Sequence, residues 1–273
     1  MSKVRLDLLL VQRGLFESRA RASAAVLAGD VLLLPRRERA AKPGQMVDEE
    51  TELEVAAALP YVSRGGVKLA NALDRFGIDV TGTQALDVGA STGGFTDCLL
   101  QRGAAHVVAL DVAYGELSWK LREDPRVTVL ERRNARALTA ADLPYPPTVI
   151  VADVSFISLT KVLPAVLGCA AADGFDCLAM IKPQFEVGRE RIGKGGVVRE
   201  AEYRRDALVS VGAFAMSELG VSVCGYASSG LPGPKGNRET FVWLAEAGRP
   251  AGLPDIDALR AAAYAAEPSE AGA

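Results

Sequence analysis

Ala85-Leu86-Asp87-Val88-Gly89-Ala90-Ser91-Thr92-Gly93-Gly94-Phe95-Thr96 runs from an apolar strand through a glycine-rich turn into a helix. Such a junction offers free backbone N–H groups at the carboxyl end of a strand, where parallel sheets hold nucleotides. The glycine spacing decides between ligands. A dinucleotide fingerprint needs G-x-G-x-x-G to seat a pyrophosphate, whereas here glycine falls at 89, 93 and 94, with Asp87 leading in. That looser loop suits a ligand without a pyrophosphate. A helix is predicted over 95–102, followed by the strand His106-Val107-Val108-Ala109-Leu110, which ends at Asp111. An acid there is placed to accept hydrogen bonds from both hydroxyls of a ribose. Loop and acid together point to a transferase that uses S-adenosylmethionine.

Outward from this loop, residues 61–247 alternate strands and helices, the pattern of an α/β domain with a parallel sheet. Strands are expected at 84–88, 106–110, 127–130, 148–152 and 177–181. A late pair, 221–227 and 239–245, flanks Pro232, Gly233, Pro234 and Gly236 and forms an antiparallel hairpin. Tyr61 to Gly66 reads as a linker and Val67 to Phe76 as a helix with Leu69, Leu73 and Phe76 on one stripe. Residues 248–273 carry a helix, Ile256 to Ala266, and an Ala/Glu/Gly tail expected to fray.

Bulk properties fit a cytosolic enzyme. A chain of 273 residues has room for one sizeable α/β domain and a small one. Its net charge is −3, so binding of nucleic acid must rest on local patches. Cys98, Cys169, Cys177 and Cys224 lack C-x-x-C spacing and read as free thiols of a reducing compartment. His106, the single histidine, opens a strand, which suits packing better than a catalytic role, and its count excludes a zinc site built from several histidines. No secretion signal is visible, and no run of about 18 to 20 apolar residues is present to span a membrane.

Three polar residues fall at strand ends beside the loop: Asp153 after Val149-Ile150-Val151-Ala152, Lys182 after Leu178-Ala179-Met180-Ile181, and Glu239 opening Glu239-Thr240-Phe241-Val242-Trp243-Leu244. Lys68 sits on the preceding helix. The crevice of an open α/β sheet lies outside the carboxyl ends of its strands, so these groups share the space of the glycine loop. Burial of an ammonium behind an apolar strand favours its uncharged form. Lys182, followed by Pro183, is therefore the expected general base, with Asp153 and Glu239 orienting it. An uncharged amine can take the proton of a ribose hydroxyl, leaving alignment of donor and acceptor as the main task.

The first 60 residues read as a separate small α+β unit. Two short helices are expected between Arg5 and Ala28, joined near Gly14, with Ser18 as N-cap of the second. Strands follow at 31–34 and around Glu52 to Val55. Residues 1–42 carry Lys3, Arg5, Arg13, Arg19, Arg21, Arg36, Arg37, Arg39 and Lys42 against Asp7, Glu17, Asp30 and Glu38. Asp48, Glu49, Glu50, Glu52 and Glu54 then cancel that excess. A positive face on a neutral module is the electrostatic footprint of an RNA binder. Arg5-Leu6-Asp7, Gly14, Ser18-Arg19, Ala25, Gly29-Asp30-Val31 and Lys42-Pro43-Gly44 resemble an S4-type RNA-binding domain, with Leu34-Pro35-Arg36-Arg37 where that family has an Asn-Gly turn.

Lys68, Asp153, Lys182 and Glu239 match the Lys-Asp-Lys-Glu tetrad of FtsJ-like ribose 2′-O-methyltransferases. Adding 153–159 (Asp-Val-Ser-Phe-Ile-Ser-Leu), 182–188 (Lys-Pro-Gln-Phe-Glu-Val-Gly) and 193–198 (Gly-Lys-Gly-Gly-Val-Val), the chain resembles the TlyA, or hemolysin-A-like, family over nearly its whole length. The resemblance implies methylation of cytidine 2′-hydroxyls in ribosomal RNA of assembled subunits, with S-adenosyl-L-methionine as cofactor and a cytoplasmic location. It implies a cofactor site of Asp87, Gly89, Ala90, Ser91, Thr92, Gly93, Gly94, Asp111, Val112, Asn134, Asp153 and Phe156. It implies RNA contacts at Arg5, Arg13, Ser18, Arg19, Arg21 and Lys42, and in the second domain at Arg64, Arg189, Arg191 and Lys194. Two other functions stay open at this point. The family's older name suggests a pore-forming hemolysin, opposed by the missing span and the complete transferase motifs. A non-catalytic ribosome-binding factor would bind subunits without binding cofactor. Pseudouridine synthesis, raised by Asp7, is set aside because that aspartate lies inside the small unit.

Overall fold

Strands buried on both faces read as unbroken apolar runs, and here such runs build a seven-stranded sheet. The computed structural model describes residues 3–55, 60–233 and 236–267; Pro234 and the expected tail beyond 267 lie outside them. Contacts divide the chain into Met1–Leu59 and Pro60–Ala273.

The first unit contains β1 (Lys3–Arg5), α1 (Leu6–Gln12), α2 (Arg19–Ala28), β2 (Val31–Leu33), β3 (Glu38–Arg39), β4 (Met46–Asp48) and β5 (Leu53–Val55). β1 pairs with β4, and β2 is flanked by β3 and β5, all antiparallel. Ser18 Oγ caps α2 by accepting from Arg21 N at 3.3 Å, and Gly29 closes it at φ +80°. Leu34-Pro35 is a cis peptide, and Leu33 pairs with Glu38 across the four-residue turn. Leu6, Leu10 and Val31 lie fully buried in this unit's own core.

Asp7 ties the helices to each other. Its buried carboxylate receives Arg5 Nε at 3.1 Å and Nη2 at 2.9 Å, and Arg19 Nη2 at 2.9 Å. Hydrogen bonding to Arg5, with help from Arg19, lowers its pKa from 3.8 to about 2. A depressed carboxylate stabilises the fold above the unfolded-state value and loses that contribution as pH falls from about 4 to about 2. At about 1.4 kcal/mol per unit this is on the order of 2 kcal/mol. Asp7→Ala is expected to lower unfolding free energy by that amount at pH 7 and by almost nothing at pH 2, as read by denaturant titration at both.

The second unit comprises α3 (Arg64–Phe76), β6 (Gln84–Val88), α4 (Gly94–Gln101), β7 (His106–Leu110), α5 (Trp119–Arg122), β8 (Val127–Leu130), β9 (Val149–Ala152), α6 (Leu163–Leu167), β10 (Asp176–Ile181), α7 (Pro183–Glu186), α8 (Ala201–Glu218), β11 (Ser222–Ser228), β12 (Thr240–Ala245) and α9 (Ile256–Ala266). The strand order is β11-β12-β10-β9-β6-β7-β8. β8 through β10 run parallel, and β12 enters antiparallel between β10 and β11. The chain leaves β6 toward β7 and β8 and then returns to β9, so order reverses between β6 and β9. Ligands of open α/β sheets bind at such a reversal.

Alternate residues of each strand fill two cores. Leu86, Val108, Ile150 and Ala179 face α6, α8 and α9, whereas Ala85, Val107, Val151 and Met180 face α3 and α4. His106 has a packing place, with Nε2 2.8 Å from Thr128 Oγ1 and its ring edge-on to Tyr145. All four cysteines are free thiols.

The linker expected at 61–66 is corrected by the structure. Ser63 caps α3, which begins at Arg64, and Val62 N donates to Asp97 Oδ2 at 2.8 Å. Gly66 of that stretch and Gly94 of α4 serve close packing. A Cβ on Gly66 would stand 2.3 Å from the Tyr61 ring, and one on Gly94 would stand 2.9 Å from Gly66 N.

Candidate active site

β6 and β9 end side by side, and their next residues build the centre of the site. Asp153 N donates to Val88 O at 2.9 Å, and Gly89, at φ +86°, passes so close that a Cβ would lie 2.5 Å from Asp153 O. Only glycine satisfies both the dihedral and that approach. Gly89 N and Ala90 N donate to Leu110 O, which anchors the loop on β7 as well.

The loop is supported from behind by Asp87. Its carboxylate is fully buried, and Oδ2 accepts from Thr96 N at 2.9 Å and Thr96 Oγ1 at 2.6 Å at the start of α4. Desolvation raises its pKa from 3.8 to about 7, outweighing the Thr96 hydrogen bonds. Asp87 is thus not brought to the cleft wall, a correction to its expected contact with cofactor. Gly93, at φ +94°, is likewise packed against Leu121 and Leu117.

On one side of the loop lies a cleft of about 490 Å³ whose walls include Val88, Gly89, Ser91, Leu110, Asp111, Val112, Asn134, Asp153 and Phe156. Asp111 Oδ2 accepts from Ser91 N and Oδ1 from Ala113 N, both at 2.7 Å. These bonds fix the carboxylate while each oxygen keeps a lone pair toward the cleft. Asn134 Oδ1 is engaged by Arg136 N at 3.0 Å. Phe156 is 90% exposed with φ +64°. A left-handed aromatic held out to solvent is a strained arrangement of the sort retained at ligand sites. Apolar walls, an exposed ring and an oriented acid fit the adenosyl part of S-adenosylmethionine.

On the other side, Ser63, Arg64, Lys68, Gly89 to Thr92, Gly94, Asp153, Lys182 and Glu239 line a second hollow. The four expected polar residues meet here, divided into two pairs. Lys182 Nζ lies 2.6 Å from Asp153 Oδ1, off the hydrogen-bonding axis, and donates to Ser155 Oγ at 2.9 Å. Lys68 Nζ donates to Glu239 Oε2, both side chains being buried. Glu239 therefore holds Lys68 and not Lys182, against expectation. Ser155 was missed as a lysine partner, although its position two residues past Asp153 was a usable signal.

Glu186 is a further residue the sequence reading passed over. Its Oε2 accepts from Ser158 Oγ at 2.6 Å and its Oε1 from Leu159 N at 2.8 Å, tying α7 to the loop that carries Ser155 and Phe156. Burial raises its pKa above the usual carboxylate value. Glu186→Ala frees that loop and is expected to raise the KM for S-adenosylmethionine by about tenfold, with Glu186→Gln restoring most of it, since a lost buried hydrogen bond costs about 1–3 kcal/mol. Initial-rate titrations of cofactor check this.

Basic residues expected at RNA divide by their partners. Arg5 and Arg19 are held on Asp7, Arg13 donates to Thr51 O at 2.7 Å and to Glu49 O, and Arg21 pairs with Glu17 at 2.8 Å. Ser18 is occupied as a helix cap. Lys42 is exposed. In the second unit Arg64 and Lys194 are exposed, as is Arg189, while Arg191 pairs with Asp206 at 2.6 Å and stacks on Tyr203. Arg21 and Arg191, paired at the surface, exchange partners at little cost, whereas Arg5 and Arg19 stay on buried Asp7 and have only their remaining N–H groups to offer.

Comparison with known proteins agrees with this geometry. Residues 61–246 match the FtsJ-like methyltransferase family. The 16S/23S rRNA (cytidine-2'-O)-methyltransferase TlyA of Mycobacterium tuberculosis is 50% identical over 246 residues, 89% of this chain and 90% of its own length. Hemolysin A of Brachyspira hyodysenteriae is 38% identical over 86% of this chain and 97% of its own. A solved chain from Streptococcus thermophilus that also carries the hemolysin name is 42% identical, with a TM-score of 0.74 over 97% of this chain and 96% of that one. The sheet order, the loop between β6 and α4 and these matches together make the chain a member of the FtsJ-like methyltransferase family, within its TlyA and hemolysin-A-like group.

Proposed function

We propose that the chain methylates the ribose 2′-hydroxyl of cytidine in ribosomal RNA, using S-adenosyl-L-methionine, with Lys182 as general base. The observation that carries this reading is the Lys182 amine, fixed by Asp153 and Ser155 where the glycine-loop hollow and the nucleoside cleft adjoin. The cofactor, when bound, supplies a methyl group already activated by a positive sulfur. Asp111 would hold its nucleoside in the cleft lined by Gly89 and Ser91, and Phe156 would cover one edge. Lys182 accepts the hydroxyl proton, Asp153 and Ser155 aim the amine, and Lys68 with Glu239 fixes the neighbouring wall. Proton acceptance and alignment are what such a transfer asks of the protein.

Residues 1–59 act as an S4-like unit that binds ribosomal RNA in assembled subunits, with Arg5, Arg13, Arg19, Arg21 and Lys42 as phosphate contacts. Arg64, Arg189, Arg191 and Lys194 serve the same end in the second unit, and contacts of this kind supply affinity without sequence information. The TlyA relative's name supports both the RNA and the reaction. Against the hemolysin name, no helix among the described residues is long and apolar enough to cross a membrane. The test is transfer of label from tritiated cofactor to small and large ribosomal subunits purified from cells lacking the modification. Label in RNA of at least one subunit is expected, and its absence from both contradicts the reading.

A further inference from the structure

Residues 193–198 (Gly-Lys-Gly-Gly-Val-Val) form a turn that closes on itself, with Gly193 N donating to Val197 O at 2.9 Å and Gly196 N to Gly193 O at 3.1 Å. Gly195 and Gly196 sit at φ +85° and +82°, a course that glycine follows without strain. The turn carries Lys194, which is exposed. Gly196 stands on the wall of a cavity of about 360 Å³ that also touches Lys182, Gly233 and Glu239. The turn therefore borders the amine to which the hydroxyl proton is assigned.

Among the described residues, the hydrogen bonds that tie this turn to the rest of the unit come from two side chains. Arg204 Nη1 donates to Val198 O at 3.2 Å. Asn237 supplies the others: its Oδ1 accepts from Val198 N at 2.9 Å, and its Nδ2 donates to Gly196 O at 2.8 Å. Both partners are backbone groups of fixed polarity, so they settle which way the amide faces. Asn237 is 3% exposed, and its own carbonyl accepts from Gly233 N at 2.9 Å. Gly233 lies so close to Glu239 that a Cβ there would stand 2.5 Å from Oε1. One short side chain thus joins the turn to the segment packed on the Lys68 and Glu239 pair.

We propose that Asn237 is a positioning residue for the RNA substrate, latching the 193–198 turn beside Lys182 so that Lys194 meets the RNA backbone and the turn walls the approach to the amine. The inference rests on the ribose-methylation reading and extends it to the element that seats the acceptor strand. Asn237 spends its amide on the protein's own backbone, so it acts through the turn. The residue type follows from those partners. Aspartate can accept from Val198 N but, when ionised, has no proton for Gly196 O. Losing a buried hydrogen bond shifts an equilibrium by about 5- to 150-fold, and here the equilibrium lies between a latched turn and a loose one. If only the latched form receives RNA, apparent affinity falls with its population. Binding of cofactor is separate, because neither the nucleoside cleft nor the glycine-loop hollow has Asn237 or residues 193–198 on its wall.

The experiment compares the wild-type chain with Asn237→Ala, Asn237→Asp and Gly195→Val. Initial rates of methyl transfer are measured against the concentration of ribosomal subunits from cells lacking the modification, alongside calorimetric titration with S-adenosylhomocysteine and amide hydrogen exchange over 193–198. Asn237→Ala is expected to speed exchange of the Val198 amide and to raise the KM for subunits, each by about 5- to 150-fold. Its kcat and its analogue affinity are expected to stay near the wild-type values, the pattern of lost substrate binding. Asn237→Asp is expected to behave like the alanine variant. Gly195→Val stands in open space at the surface and leaves the buried amide alone, but it forces a β-branched residue to φ +85°. It is expected to raise the same KM, and the double variant with Asn237→Ala to lose less than the product of the two, since both act through one turn. An unchanged subunit KM in Asn237→Ala overturns the proposal, as does unchanged exchange over 193–198. A fall in kcat or in analogue affinity with KM intact also overturns it, by showing a structural residue only. Absence of transfer by the wild type instead defeats the ribosomal reading on which the proposal stands.

Discussion

Lys182→Ala is expected to lower methyl transfer by about 10²- to 10⁴-fold, the usual contribution of a positioned general base. Affinity for the cofactor should change little, since the nucleoside cleft is walled by Asp111, Val112 and Phe156 and does not include Lys182. Lys182→Arg separates charge from proton acceptance. A guanidinium can keep the contact with Asp153 but stays protonated at all working pH values, so this variant is expected to be as slow as the alanine one. Stopped-flow or quench measurement of single turnovers, with analogue binding as control, checks both. An active arginine variant would mean that the residue acts only through its positive charge.

The second large effect is expected at the Lys68 and Glu239 pair. Lys68 is 6% exposed and Glu239 2% exposed, so each ion depends on the other for its charge to be tolerated. Removing one partner from a buried pair costs about 3–5 kcal/mol, because the remaining charge is left in a poor dielectric. Lys68→Met and Glu239→Leu are each expected to destabilise the second unit by that amount. The double variant is expected to lose far less than the sum, since two apolar groups replace two ions. Urea unfolding of the four proteins completes the cycle, and additive losses would show that the two groups are not energetically coupled.

The sheet was legible in the sequence because its parallel strands are covered on both sides. β6, β7 and β8 occupy the expected 84–88, 106–110 and 127–130, and the late antiparallel pair is shifted by a single residue at most boundaries. β1, β3 and β4 were not foreseen, since Lys3-Val4-Arg5, Glu38-Arg39 and Met46-Val47-Asp48 offer no apolar run such as the Val31-Leu32-Leu33 of β2. α8, the longest helix, was not delimited because Arg204, buried within it, interrupts its apolar stripe.

In the site, strand ends announced that Asp153, Lys182 and Glu239 would share a crevice, because topology alone fixes where strand ends converge. Which amine faces which acid was not legible. The split into Lys182 with Asp153 and Lys68 with Glu239 depends on where α3 carries Lys68, a matter of its packing on α4 through Gly66 and Gly94 and on Tyr61. Asp87 misled for a related reason. Its place in the loop motif suggested ligand contact, whereas strand alternation puts it on the inner face toward Thr96.

The central claim is that the group receiving the methyl is a ribose hydroxyl deprotonated by Lys182. It is tested most directly by incubating the wild-type chain and cofactor with unmodified ribosomal subunits, digesting the RNA to nucleosides and resolving them by mass spectrometry. The account predicts 2′-O-methylcytidine, with the added mass on the sugar fragment, formed about 10²- to 10⁴-fold more slowly by Lys182→Ala. A methyl group found on the base fragment, or sugar methylation undiminished in Lys182→Ala, would contradict it.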